Sequence, residues 1–322
     1  MIGVKLSSLV TAGVFVAMYA VFGALYPAMI SPRVFANLLT DSAYLGILAV
    51  GMLVVVVSGG IDLSVGAVMA FTSLFVAVTV THWGVHPLAA FSLALAMGAL
   101  FGALVGVTIH WLEAPPFIVT LTAMFLARGG AILLSQDSVP VQHELYSQLT
   151  SFAVPLPGGG ALTLHALIML AAVTAGGLLL HHTRFGASVF AIGGDRRAAD
   201  LLGAPIGRTT VAIYAFSGLM AALAGVVFSL YTGAGYALSA IGVELEAIAA
   251  VVIGGALLSG GAGAITGAFF GVLIQGLILT AITFNGTLSS WWTKIAIGLL
   301  ILAFLLTQKL GGRFGQQTSP HR

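Results

Sequence analysis

Few side chains in this sequence could do chemistry in an apolar medium. Four carboxylates, Asp41, Asp62, Glu244 and Glu246, stand beside or within long uncharged runs. Arg128 lies near the end of another such run, and Gln275 and Asn285 are amides in equally apolar surroundings. An ionised group at the centre of a bilayer costs at least about 2.5–3.5 kcal/mol on insertion scales, so such groups line cavities or pair. Asp62, Arg128, Glu244, Glu246, Gln275 and Asn285 are therefore the candidates to line a polar pathway. Two of them have structural alternatives. The Asp62 carboxylate could cap a following helix by accepting its free N–H groups, and this is the expected role. Arg128 could meet hydroxyls, pair with an acid or reach outward to the membrane edge; the outward reach is expected. No catalytic constellation stands out. The eight His residues are scattered, and His181 and His182 are adjacent, which does not place them face to face on a helix, so no metal site is expected. The lysines are Lys5, Lys294 and Lys309, and none follows a glycine, so the phosphate loop G-x-x-x-x-G-K-[ST] is missing. The chain reads as a non-enzyme that binds no cofactor itself.

The elements that must hold these residues follow from composition. Of 322 residues, 59% are hydrophobic and 6% charged. A soluble chain carries about 25% charge, so this one cannot cover a water-facing surface. Apolar runs near the ~20 residues needed to cross a bilayer recur along it. The expectation is an all-α, polytopic membrane protein, a single domain over 1–322, with about ten segments. They run Ser8–Ala28, Phe35–Ser58, Val65–Val80, Leu88–His110, Phe117–Ser135, Leu162–Leu180, Thr209–Tyr231, Leu245–Leu258, Ala264–Phe284 and Trp292–Thr307. The third and eighth are short and read as broken or re-entrant. Zero cysteines exclude disulfides and thiolate metal sites.

Glycine punctuates these runs. Gly59–Gly66 reads GGIDLSVG and Gly254–Gly261 reads GGALLSGG, both fitting G-G-x-x-L-S-x-G; paired breaks in two halves of a membrane chain point to a transport pathway. Gly98, Gly102 and Gly106 share one helix face, as do Gly263, Gly267 and Gly271, which suits either tight helix packing or sliding. The basic residues set orientation. Lys5, Arg184, Arg196, Arg197, Arg208, Lys309, Arg313 and Arg322 fall inside and Arg33, Arg128 and Lys294 outside when both termini are cytoplasmic. A loop at 136–160 would then be external and rich in turns, and a charged loop at 181–208 internal. Within the latter, Asp195–Leu202 fits a short amphipathic helix stopped by Gly203 and Pro205. The scarcity of carboxylates at membrane depth weighs against a self-sufficient secondary carrier and towards a partner that supplies energy through that loop.

Five motifs occur in order along nearly the whole chain: SGGIDLSVG (58–66), APPFIVTLTAMFLARG (114–129), HHTRFG (181–186), AIGGDRRAADLLG (191–203) and ELEAIAAVVIGG (244–255). With them the chain resembles the permease subunits of ribose-type carbohydrate ABC importers. TDSAYLGILAVGM (40–52), YTGAGYAL (231–238) and GTLSSWWTKIAIG (286–298) are most similar to a permease subunit of the galactofuranose importer. The resemblance implies a sugar-importing permease in the bacterial inner membrane. It would work with an ABC ATPase subunit that hydrolyses the ATP, a second and heteromeric permease, and a periplasmic sugar-binding protein, with no nucleic acid involved. It also implies that Asp195, Arg196, Arg197, Ala198, Ala199, Asp200 and Gly203, in the 193–208 loop, couple to the ATPase. Arg197-Ala198-Ala199 departs from the family's E-A-A pattern by carrying arginine where glutamate stands. A branched-chain amino-acid ABC permease is the alternative that keeps the machine and changes the cargo.

Overall fold

Serine, threonine, proline and histidine set where most helices begin. Ser31 Oγ accepts the Val34 N–H at 3.3 Å with Pro32 at the first helical position, and Thr163 Oγ1 accepts from Ala166. Thr183 Oγ1 likewise accepts from Gly186 at 3.2 Å. A proline opens helices at Pro87 and Pro116, where its missing N–H costs nothing. In the computed structural model, residues 2–286 and 291–316 are described. The helices are α1 (Ile2–Leu25), α2 (Pro32–Asp41), α3 (Ala43–Val57), α4 (Val65–Thr81), α5 (Pro87–Trp111), α6 (Pro116–Leu134) and α7 (Glu144–Ser151). They continue as α8 (Leu164–His182), α9 (Arg184–Gly194), α10 (Arg196–Leu201), α11 (Ile206–Thr232), α12 (Val243–Ile253), α13 (Ile265–Asn285) and α14 (Trp291–Gln316). The side chains of Lys5, Lys309, Arg313 and Arg322, which carry part of the orientation argument, lie outside the described residues, as does 287–290 of the GTLSSWWTKIAIG motif.

The all-α, polytopic class holds; the count of ten spans does not follow. Six of the described helices are long and apolar enough to cross a membrane, and seven if α2 and α3 form one span. Those two meet at a 53° bend, where the sequence suggested one straight segment, because Ser42 ends one helix and starts the next. The third expected span is the 17-residue α4, and the eighth stops at Ile253 after 11 residues. The 136–160 loop is more ordered than turn residues alone suggested. It contains α7 and β2 (Ala153–Pro155), which pairs with β3 (Ala161–Thr163) just beyond it. A further strand, β1 (Val139–Pro140), pairs antiparallel with β4 (Ala234–Gly235).

The core lies around α3 and α11. Every residue of α3 except Tyr44 is buried, as expected of a helix apolar all round. By contrast α5 and α6 expose Leu100, Leu104, Leu126 and Leu133, the faces a lipid would wet. The α5 glycines prove to be a packing surface. Gly98 lies against the Gly218 carbonyl, Gly102 against the Tyr214 carbonyl and Gly106 against Val211, all on α11. On α13, Gly267 and Gly271 abut Gly254 and Ala250 in the same way, whereas Gly263, expected on the same face, lies ahead of the helix against Val57 and Leu53. A side chain at Gly102 would meet backbone, which cannot move aside. We expect Gly102→Leu to destabilise the detergent-solubilised chain by about 1–3 kcal/mol through overpacking, read as a lowered unfolding midpoint. Gly129→Ala, where a Cβ has nothing within 4 Å, should leave the midpoint unchanged or raise it.

Candidate functional site

The candidate residues separate into three places. Asp62 is 2% exposed and does not cap α4. Its Oδ1 accepts the Ser64 N–H at 2.9 Å and the Ser64 hydroxyl at 2.6 Å, and its Oδ2 accepts the Ser217 hydroxyl at 2.7 Å. Ser64 is the residue before the helix and makes no cap bond with its own side chain. The carboxylate therefore organises the turn ahead of α4 and ties it to α11. Arg128 does not reach outward either. Its Nη1 donates to the carbonyls of Ala237 at 2.5 Å and Ser239 at 2.7 Å, clamping the return loop that follows α11. Glu244 closes the same region: its Oε1 accepts the Gly242 N–H at 3.2 Å, and its Oε2 lies against Gly66.

Glu246 and Gln275 meet in a cavity of about 540 Å³ between α2, α12, α13 and the start of α14. Ligand pockets typically measure about 300–1,000 Å³. The Gln275 Nε2 donates to the Glu246 carbonyl at 3.0 Å. Its Oε1 has no hydrogen-bond partner among the described residues, nor does the Thr293 hydroxyl on the same wall. Asp41 also faces this cavity and accepts the Tyr231 hydroxyl at 2.9 Å. Lys294, in the lining, stands 5.3 Å from the Trp291 ring centre. Asn285 does not belong here. It is exposed at the end of α13, donating to the Tyr26 hydroxyl at 3.1 Å. Sequence reasoning noted Asp41 and Lys294 as charges but did not place them in a pathway, and it missed Thr293, whose type and spacing gave no signal.

The charged loop forms the third place. Asp195 Oδ1 accepts from the N–H groups of Arg197 and Ala198 at 2.9 and 3.0 Å, starting α10 as the sequence suggested. Gly203, at φ +77°, ends it. The Ala204 N–H reaches the Ala199 carbonyl and the Gly203 N–H the Asp200 carbonyl, the paired bonds of a Schellman turn. At its tip Leu201 and Leu202 are 89% and 87% exposed. The helix α9, inside the stretch expected to be loop, joins this tip to the interior. Its Gly193 packs on the Val57 carbonyl and on the N–H of Gly261, and Gly260 packs on the Gly193 carbonyl and on Gly59. The Gly261 N–H donates to Val57 O at 2.8 Å. The two glycine breaks thus touch each other, with the end of α9 wedged against both.

The repeat that pointed to these breaks is real in geometry but offset. α3 ends in a Schellman turn at Gly59, φ +83°, and α12 in one at Gly255, φ +87°. Gly59 therefore corresponds to Gly255, one residue away from the match made by letters alone.

Long apolar helices, two glycine-rich helix breaks in mutual contact and one charged helical loop are the architecture of a membrane permease. The chain belongs to the family described as the branched-chain amino acid transport system permease component, which matches residues 34–305. Over 309 residues it is 53% identical to the inner membrane ABC transporter permease protein YjfF of Escherichia coli, covering 96% of this chain and 93% of that one. The fructose import permease protein FruG of Bifidobacterium longum is 37% identical, over 92% of this chain and 88% of its own. The ribose import permease protein RbsC of Escherichia coli is 33% identical over 90% of both. No solved structure matches. By name these relatives are transporter subunits and not enzymes.

A Cβ on residue 193 would strike the Val57 carbonyl. Gly193→Ala is expected to part the junction. Amide hydrogen exchange at 57–61 and 257–261 should accelerate by at least tenfold, while exchange in the α5–α11 contact stays unchanged.

Proposed function

We propose that the chain is the membrane-spanning permease subunit of an ATP-driven importer, and that its cargo is a sugar. The observation that carries the reading is the loop: two exposed leucines on a capped helix at one end, and a glycine contact with both helix breaks at the other. A subunit without nucleotide chemistry of its own would receive work through such a part. An ATPase would take Leu201, Leu202, Arg196 and Arg197 into its surface. Its closure would press α9 into the breaks and shift α4, α12 and α13. The sugar assignment is supported by relatives whose names specify ribose and fructose import. Galactofuranose is the cargo we favour, from the 40–52, 231–238 and 286–298 motifs. Uptake of labelled galactofuranose competed by excess leucine would reassign the cargo to the amino-acid class that the family description mentions.

The reading further places the protein in a bacterial inner membrane with both termini cytoplasmic. It would pair with a second, related permease and receive sugar from a periplasmic binding protein. Gly203 tests the coupling. It holds a left-handed turn, and valine there would add about 1–3 kcal/mol of local strain with no clash, since a Cβ at Gly203 has nothing within 4 Å. The Gly203→Val subunit should reach the membrane in normal amounts, yet bind its ATPase weakly or hydrolyse ATP without uptake. Normal sugar uptake by that variant would show that α10 is not the coupling element.

A further inference from the structure

We infer that the cavity between α2, α12, α13 and α14 is a transit site for one neutral monosaccharide, held through the Gln275 Oε1 and the Thr293 hydroxyl. The inference rests on the importer reading above. Gln275 and Thr293 are 3% and 9% exposed, both line the cavity, and each has a polar atom without a partner among the described residues. Such buried atoms cost about 1–3 kcal/mol each until something bonds them. Gln275 Oε1 can only accept; the Thr293 hydroxyl can do both. A sugar hydroxyl also does both, so it would match either atom once the side chain turns that atom into the cavity.

The rest of the wall suits the same guest. Gln275, Leu279 and Thr283 recur every four residues, so one face of α13 lines the space. Tyr44, Phe284 and Trp291 supply apolar faces for ring C–H groups. Asp41 is already engaged by Tyr231, and Lys294 shares the wall with Glu246. Two carboxylates against one ammonium disfavour an anionic guest, and a neutral polyol needs no ion partner. The glycine junction precedes α13 and the cavity lies on its far half. Movement at one would therefore be carried to the other along a single rigid helix.

The test uses the complete importer, with its ATPase, second permease and binding protein, in proteoliposomes. Gln275→Leu and Thr293→Val should each lower the rate of sugar uptake at least tenfold, with ATP hydrolysis still stimulated by the loaded binding protein. Gln275→Glu, which keeps an acceptor, should restore part of the uptake. A second measurement is independent of those side chains. The chain has no cysteine, so Thr280→Cys, on the cavity wall, gives one thiol whose alkylation can be followed on this chain. Millimolar D-galactose or D-ribose should slow it severalfold, and L-leucine should not. Wild-type uptake in both the Leu and Val variants, or alkylation indifferent to sugar, would overturn the site. Loss of the second permease from the complex in these variants would also overturn it, by showing that the cavity is a subunit contact. If the unaltered importer moves no sugar with ATP present, the importer reading itself falls instead.

Discussion

Inside hydrocarbon no water stands ready to bond a freed N–H or C=O, so every interruption of a helix must be sealed by protein. This chain interrupts its apolar helices at three places and ties each to a different element. The break after α3 closes with a Schellman turn, and Asp62 fastens the following turn to Ser217 on α11. The return loop after α11 is bonded by Arg128 from α6. At the end of α12, the Ile253 carbonyl takes a hydrogen bond from the Thr11 hydroxyl on α1, and the Gly261 N–H uses the Val57 carbonyl. Because each seal comes from elsewhere in the chain, no break is an independent hinge. The breaks are linked through their partners, and the packing of α11 against α3, α4 and α5 holds those partners in register.

That linkage bears on the proposed function. A break sealed by backbone contacts between glycines has little side-chain slack to absorb a push, so displacement of α9 must move both breaks or neither. The junction lies before Ile265 and the polar cavity begins at Gln275, which at 1.5 Å per residue is a separation of about 15 Å along α13. The charged loop and the polar wall are thus the two ends of one short mechanical path. Asp62, buried in the first break, is spent on structure, bonded to Ser64 and Ser217, and half-buried Arg128 on the loop after α11.

Much of this was legible in the sequence where a local rule decides the outcome. Glycine and proline placed the helix ends, Asp195 and Gly203 bracketed α10, and spacing gave the small-residue faces of α5 and α13. What failed were readings that depended on partners distant in sequence. The acceptors of Arg128 lie 109 and 111 residues further on, so only the outward reach was visible locally. Ser217, which draws Asp62 away from a capping role, is 155 residues from it. The 53° bend at Ser42 carries no glycine or proline to announce it. Hydropathy included the eighth run among ten segments but flagged it as short and broken or re-entrant, and α12 does stop after 11 residues, too few to cross a bilayer. Of the six pathway candidates, Glu246 and Gln275 share the cavity, and their company there, Thr293 above all, is set by how α14 leans on α12 and α13.

The Arg128 clamp has a further consequence for how the protein is made. Residue 237 leaves the ribosome 109 residues after residue 128, which at ordinary elongation rates is a wait of roughly 5–20 s. For that interval α6 carries a guanidinium whose final acceptors have not yet been synthesised. Its helix cannot settle at full depth without the penalty of a bare charge in lipid. The outward-reaching posture, wrong for the finished fold, is then the natural one for the nascent chain. One arginine thus waits for two backbone carbonyls that exist only once the loop after α11 has been made.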